Sequence, residues 1–245
     1  ASMKGAISKA AHDTLYALFP KQRTRIDEFY QAELSEIGND PGLQEGIALG
    51  AKTAKAILDN RTNDGSNSVS NYRITGGIGH WESDPLNPGQ TPLGANWKFV
   101  RPFAVDSASQ FRAAPPPALT SIKYAEDYNE IIRIGGDGIT TPTERTAEQT
   151  EIGTFWAYDG TPSLCAPPRL YNQIARRIAA DRKLDVVETM RLLALANISM
   201  ADAGINGWES KYYYDFWRPV TAVRRESNVN LDGNPLTTGD VNFTP

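Results

Sequence analysis

A chain of 245 residues, 40% hydrophobic and 22% charged, can bury a sizeable core, which excludes a disordered or fibrous protein. Its formal charge of −4 offers no general attraction to nucleic acid or to an anionic lipid surface, so any anion it binds must be held by a local group of cations. The single cysteine, Cys165, excludes an internal disulfide, and no apolar run approaches the roughly 18 residues of a membrane span.

In chain order, residues 5 to 19 place Ile7, Ala10, Ala11, Leu15, Leu18 and Phe19 at helical spacing until Pro20 stops the run. Residues 21 to 37 and 42 to 58 repeat that pattern, with Ile26, Phe29, Tyr30 and Leu34, then Ile47, Leu49, Ala54 and Ile57. From 60 to 117 the chain turns rich in Gly, Pro, Asn and Ser and loses any period, which predicts a long connection wrapped on a helical core. Helical spacing returns over 119 to 135, 142 to 159, 167 to 182 and 185 to 204, and the last 20 residues read as a polar tail. With no alternating run, the expected class is all-α, a helical bundle with long loops in one domain over residues 1 to 245.

Several motifs carry little chemistry. The glycines of GGIGH (76 to 80) follow no strand and open no helix, so they read as loop. His12 and His80 lack the partner spacing of a metal site and read as structural. Asn60, Asn197 and Asn242 head N-x-S/T triplets of a kind common by chance. In RLYNQIARRIAADRK (169 to 183), Leu170, Ile174 and Ile178 recur every four residues, which predicts an apolar stripe with the charges on a solvated face.

WESKYYYDFWRP (208 to 219) is different. If it is helical through 218, seven residues advance about 700°, placing Lys211 and Arg218 within about 20° of one another with Asp215 between them. Crowding by aromatics predicts that each cation needs an anionic partner, and Asp215 can neutralise only one. The residue before a proline leaves the α region, so Arg218 should project its fork differently from Lys211. A point charge and a bidentate fork on one pocket suit a tetrahedral oxyanion; an amphipathic helix with an i,i+4 ion pair is the plainer alternative.

The stretch DAGINGWESKYYYDFWRPVTAVR (202 to 224) resembles the first signature of the vanadium-dependent haloperoxidases, which share their helical fold with the type 2 phosphatidic acid phosphatase superfamily. FWAYDG (155 to 160) and PPRLYNQIARRIA (167 to 179) resemble the segment just upstream in the fungal chloroperoxidase branch, so the likeness covers about residues 147 to 225. The resemblance implies an enzyme that oxidises halide with hydrogen peroxide at bound vanadate, for which phosphate can substitute. It implies that Lys211 and Arg218 bind the vanadate oxygens and that Trp208 shapes the halide side of the pocket. It matches Asp159 to a carboxylate that pairs with a second arginine farther downstream, and gives Asp215 no role beyond supporting the cations. The family completes its site with a Ser-Gly-His block and an Arg-x5-His block, and these 245 residues contain neither. The expectation is an internal portion of a larger protein, inactive alone, whose histidines come from the remainder of that protein or a second chain. An acid phosphatase of the same superfamily and a non-catalytic helical scaffold are the alternatives. Oligomeric state and compartment stay open, although relatives are often exported.

Overall fold

The structure is a computed structural model that describes residues 1–157, 167–226 and 230–245. Eight α-helices occur among the described residues: α1 Met3–Leu18, α2 Arg23–Ile37, α3 Leu43–Arg61, α4 Ile122–Ile134, α5 Ala147–Trp156, α6 Pro167–Asp181, α7 Val186–Tyr214 and α8 Pro219–Arg225. No strand is found among these residues; the one extended pairing is an isolated antiparallel bridge between His80 and Phe216. The all-α class and most of the helix positions agree with the periodicity, but α5 begins at Ala147 and not at 142, α7 continues to Tyr214 past the expected end at 204, and α8 is not among the expected helices. Local chemistry sets several of the ends. The side chains of Ser121 and Thr146 accept the backbone N–H groups of Tyr124 and Gln149 at the starts of α4 and α5, and Asp185 with Glu188 forms a reciprocal pair at the start of α7. Pro20 ends α1 and opens a 3-10 turn, Pro20–Gln22.

The chain divides into two compact units. The first comprises Ala1–Asn67 and Arg176–Ala194, and the second Ser68–Ala175 and Leu195–Pro245. In the first, α1 packs along α3 through small residues, with Gly5 on one helix and Gly46, Gly50 and Ala54 on the other, all buried. His12 on α1 lies 2.8 Å from Asp13 and 2.8 Å from Asp27 on α2, with its ring against Tyr16 and Tyr30, a structural use of this histidine.

In the second unit, Tyr124 and Tyr128 of α4 pack with Trp217, Val220, Ala222 and Val223 at α8 and with Phe243. Residues 230 to 245 are therefore no tail, which corrects the sequence reading for this part of the last 20 residues. Phe243 is 1% exposed, and Asn234, equally buried, donates to the carbonyls of Leu119 and Ser121 beside the start of α4. Thr237 closes the turn onto the buried Asp232, so the polar residues satisfy one another. A second correction concerns α6, where the buried members are Ala175 and Ala179 while Ile174 and Ile178 stand more than 40% exposed.

Candidate functional site

α7 runs unbroken from Val186 to Tyr214, through Gly204 and Gly207, and two of its faces organise the loops of the second unit. On one face Asp202 accepts the backbone N–H groups of Phe103, Ala104 and Val105 at 2.7, 2.7 and 3.1 Å, and Asn206 accepts that of Phe111. Ser210 accepts the N–H of Ala113, and Glu209 pairs with Arg112, whose guanidinium stacks 3.5 Å from the Tyr213 ring centroid. These polar side chains recur at i, i+4, i+7 and i+8 along the helix, and together they clamp residues 103 to 113. Sequence reading missed the clamp, although this spacing within an otherwise apolar helix was visible.

The other face carries Trp208 and Lys211, two of the residues expected to form the site. The Trp208 indole N–H and the Tyr212 hydroxyl both donate to the Leu93 carbonyl, at 2.9 and 2.7 Å. Gly94 follows with φ +67°, and a Cβ there would stand 2.6 Å from the Trp208 ring nitrogen, so the close approach of this loop requires glycine. Between loop and helix lies a cavity of about 130 Å³ lined by Tyr72, Trp81, Pro92, Trp208, Lys211, Tyr212, Asp215 and Arg218, with room for a small tetrahedral anion or several waters.

Lys211 and Arg218 reach this cavity by a route different from the expected one. The helix ends at Tyr214, Asp215 takes a left-handed φ of 50°, and Phe216 pairs with His80. Arg218 then stands in extended conformation as the residue before α8, as its place before Pro219 requires. Its guanidinium lies 6.0 Å from the Trp81 ring centroid, and the Lys211 ammonium 5.3 Å from that of Trp208. Burial, with the Arg218 charge adding to it, holds Lys211 below its ordinary value of 10.5, although the residue keeps a solvent-facing side.

The expected i,i+4 pairing of Asp215 with Lys211 is corrected by the same geometry. Asp215 turns away, and its carboxylate accepts the Tyr72 hydroxyl, the Thr75 hydroxyl at 2.9 Å and the His80 Nδ1–H at 3.1 Å. Among the described residues no carboxylate lies within 4 Å of Lys211 or Arg218. His80 thus has a structural place beside Asp215, and GGIGH is loop, its Gly77 N–H being given to Glu82. Asp159 and Cys165 lie outside the described residues. No group of three His, Cys, Asp or Glu side chains among the described residues could hold a metal ion directly, whereas an oxometalate is a group that cations can hold through its oxygens. Two uncompensated cations with different donor geometries, facing a cavity of this size, fit such a group.

The described residues form an all-α protein in which a lysine near the end of α7 and an arginine in the extended link to α8 face one cavity. Residues 191–239 match the family model described as the VCPO second helical-bundle domain. The chain is 32% identical over 169 residues to vanadium chloroperoxidase from Curvularia inaequalis, a match covering 60% of this chain and 28% of that protein. Its fold resembles the crystal structure of the first bacterial vanadium-dependent iodoperoxidase, with a TM-score of 0.67 and 24% identity over 88% of this chain and 53% of that one. The family model and the curated relative both point to the vanadium haloperoxidases and support the resemblance carried by the 147 to 225 region, and the solved structure shares the fold. The chain spans about half or less of the length of the relatives it matches.

Proposed function

We propose that this chain supplies the lysine and arginine wall of the vanadate pocket in a vanadium-dependent haloperoxidase. The observation that carries the reading is that Lys211 and Arg218 line one cavity and neither has a carboxylate within 4 Å among the described residues. Lys211 offers three rotatable donors and Arg218 a planar fork, so the two engage different oxygens of a tetrahedral anion and neutralise it in a partly desolvated place. Trp208 closes one side, its indole nitrogen committed to Leu93 and its ring face left toward Lys211. Bound vanadate supplies the Lewis-acid centre at which hydrogen peroxide is activated toward halide. The Ser-Gly-His and Arg-x5-His blocks that the resemblance requires are absent from these residues, so the isolated chain binds the anion but oxidises no halide. The remainder of the same protein, or a second chain, contributes the histidines. Hydrolysis of a phosphate ester by the completed protein, without halide oxidation, would move the reading to the phosphatase side of the superfamily.

Titration calorimetry with inorganic phosphate and with orthovanadate tests the pocket. Lys211→Ala and Arg218→Ala are each expected to weaken binding by about tenfold or more, the loss of one charge-assisted hydrogen bond. Affinities unchanged in both variants would remove the basis of the proposal.

The lowered Lys211 also predicts a pH dependence. The ammonium is the binding form, so its contribution is complete below the folded pKa and disappears as pH rises through it, at a pH below the ordinary 10.5. Across that window the unfolded chain binds more protons than the folded one, so folding stability rises while anion affinity falls. Lys211→Arg keeps its charge and is expected to lose the decline; an identical alkaline limb in both proteins, followed by calorimetry from pH 7 to 10.5, would contradict the assignment.

A further inference from the structure

We infer that Asp215 is a positioning residue: its carboxylate, pinned by Tyr72, Thr75 and His80, fixes the left-handed turn that ends α7 and thereby brings Arg218 into the cavity that Lys211 lines. This rests on the anion-pocket reading above. Pro219 makes an exit from the helix necessary, because in a continuous helix its ring would meet the carbonyl of residue 215. That carbonyl instead accepts the Trp81 N–H at 2.8 Å. Aspartate is one of the few residues other than glycine that tolerate the left-handed region, so the exit can be placed here. Two residues on, the Trp217 N–H donates to the Gly79 carbonyl at 3.1 Å, so the loop over 72 to 81 grips the turn on both sides by backbone as well as by side chain. Arg218 emerges directly from this grip and lies over Trp81 of the same loop.

A carboxylate on the wall of an anion cavity opposes the anion unless its charge is committed elsewhere. Here three donors take it up, and the Tyr72 hydroxyl is held protonated, its pKa raised by burial and then by Asp215 itself, so it remains a donor. The loop therefore performs two tasks with one contact: it turns the arginine inward, and it keeps Asp215 off the two cations.

The two possible effects of Asp215 on an anion have opposite signs, which makes the test sharp. If Asp215 were only a nearby negative charge, Asp215→Asn would tighten phosphate and orthovanadate binding by the 245-residue chain. If it positions Arg218, the amide, with one acceptor oxygen instead of two, loosens the grip and weakens binding by about tenfold. Tyr72→Phe, which changes no charge in the pocket, is expected to weaken it in the same direction by a smaller factor. Dissociation constants are read by calorimetry, with the 51V resonance of bound vanadate as a second readout and melting temperature measured alongside. Tighter or unchanged binding in Asp215→Asn, or lower melting temperatures with unaltered affinity in both variants, overturns the inference while leaving the pocket intact if Lys211→Ala and Arg218→Ala still weaken binding. A wild-type chain that binds neither anion overturns the pocket and the inference together.

Discussion

Gly50→Leu is expected to destabilise the unit formed by residues 1–67 and 176–194 by about 3 kcal/mol, seen as a lower urea midpoint with an unchanged slope. At this point α3 meets the backbone of α1. A Cβ on Gly50 would fall on the Ala6 carbonyl oxygen, 2.8 Å from the Lys9 Cβ and 3.0 Å from the Ala10 nitrogen. One turn earlier a Cβ on Gly46 would press on the Ser2 carbonyl, and one turn later Ala54 is 1% exposed, so the seam is small along its length. Carbonyl and amide atoms of a helix cannot rotate aside as a side-chain end can, and the helices must separate, losing contact beyond the substituted position. Gly207→Ala provides the contrast. That glycine sits within α7 with nothing within 4 Å of its would-be Cβ, so alanine should raise stability by about 0.5–1 kcal/mol through helix propensity alone. Equal effects at the two positions would show that packing against α1 is not what Gly50 provides.

The helices were legible because each is specified locally. Leu15, Leu18 and Pro20 mark the end of α1, and the rule for residues before proline gives the extended backbone of Arg218 without any knowledge of its neighbours. The all-α class and the meeting of Lys211 and Arg218 at one cavity follow from such signals joined to a family resemblance. What was not legible depends on partners far away in the chain. Asp202 bonds residues 97 to 99 positions earlier, Asp215 is held by side chains 135 to 143 positions earlier, and Asn234 reaches back 113 and 115 positions to the start of α4. A polar residue committed to such a contact looks the same in sequence as one left to solvent. For that reason Asp215 read as an i,i+4 partner of Lys211, and residues 226 to 245 read as a tail although Phe243 is deeply buried. The continuation of α7 through Gly204 and Gly207 has a similar origin, since contacts along both faces outweigh the cost of two mid-helix glycines.

Asp202→Ala should cost about 3–5 kcal/mol of stability in the unit formed by residues 68–175 and 195–245. The carboxylate is 5% exposed, and its two oxygens accept three successive backbone N–H groups, that of Phe103 on one oxygen and those of Ala104 and Val105 on the other. Alanine removes every acceptor at once and leaves three part-buried donors without this partner, so the loss exceeds that of a single exposed hydrogen bond. Asp202→Asn keeps one acceptor oxygen and turns an N–H₂ toward the remaining donors, which predicts an intermediate loss of about 1–3 kcal/mol. Hydrogen exchange provides a local reading: amides 103 to 105 should be protected in the parent chain and exchange fast in the alanine variant under conditions where the core of α4 stays protected. Nine residues separate Asp202 from Lys211, an advance of about 900°, which puts the two on opposite sides of α7. Well below its melting temperature the alanine variant should therefore bind phosphate and orthovanadate with an affinity within about twofold of the parent, since sites on opposed faces without shared partners act nearly independently. A large loss of anion affinity in the cold, folded variant would instead mean that the 103 to 113 clamp sets the orientation of Lys211, and that the two faces of α7 act as one device.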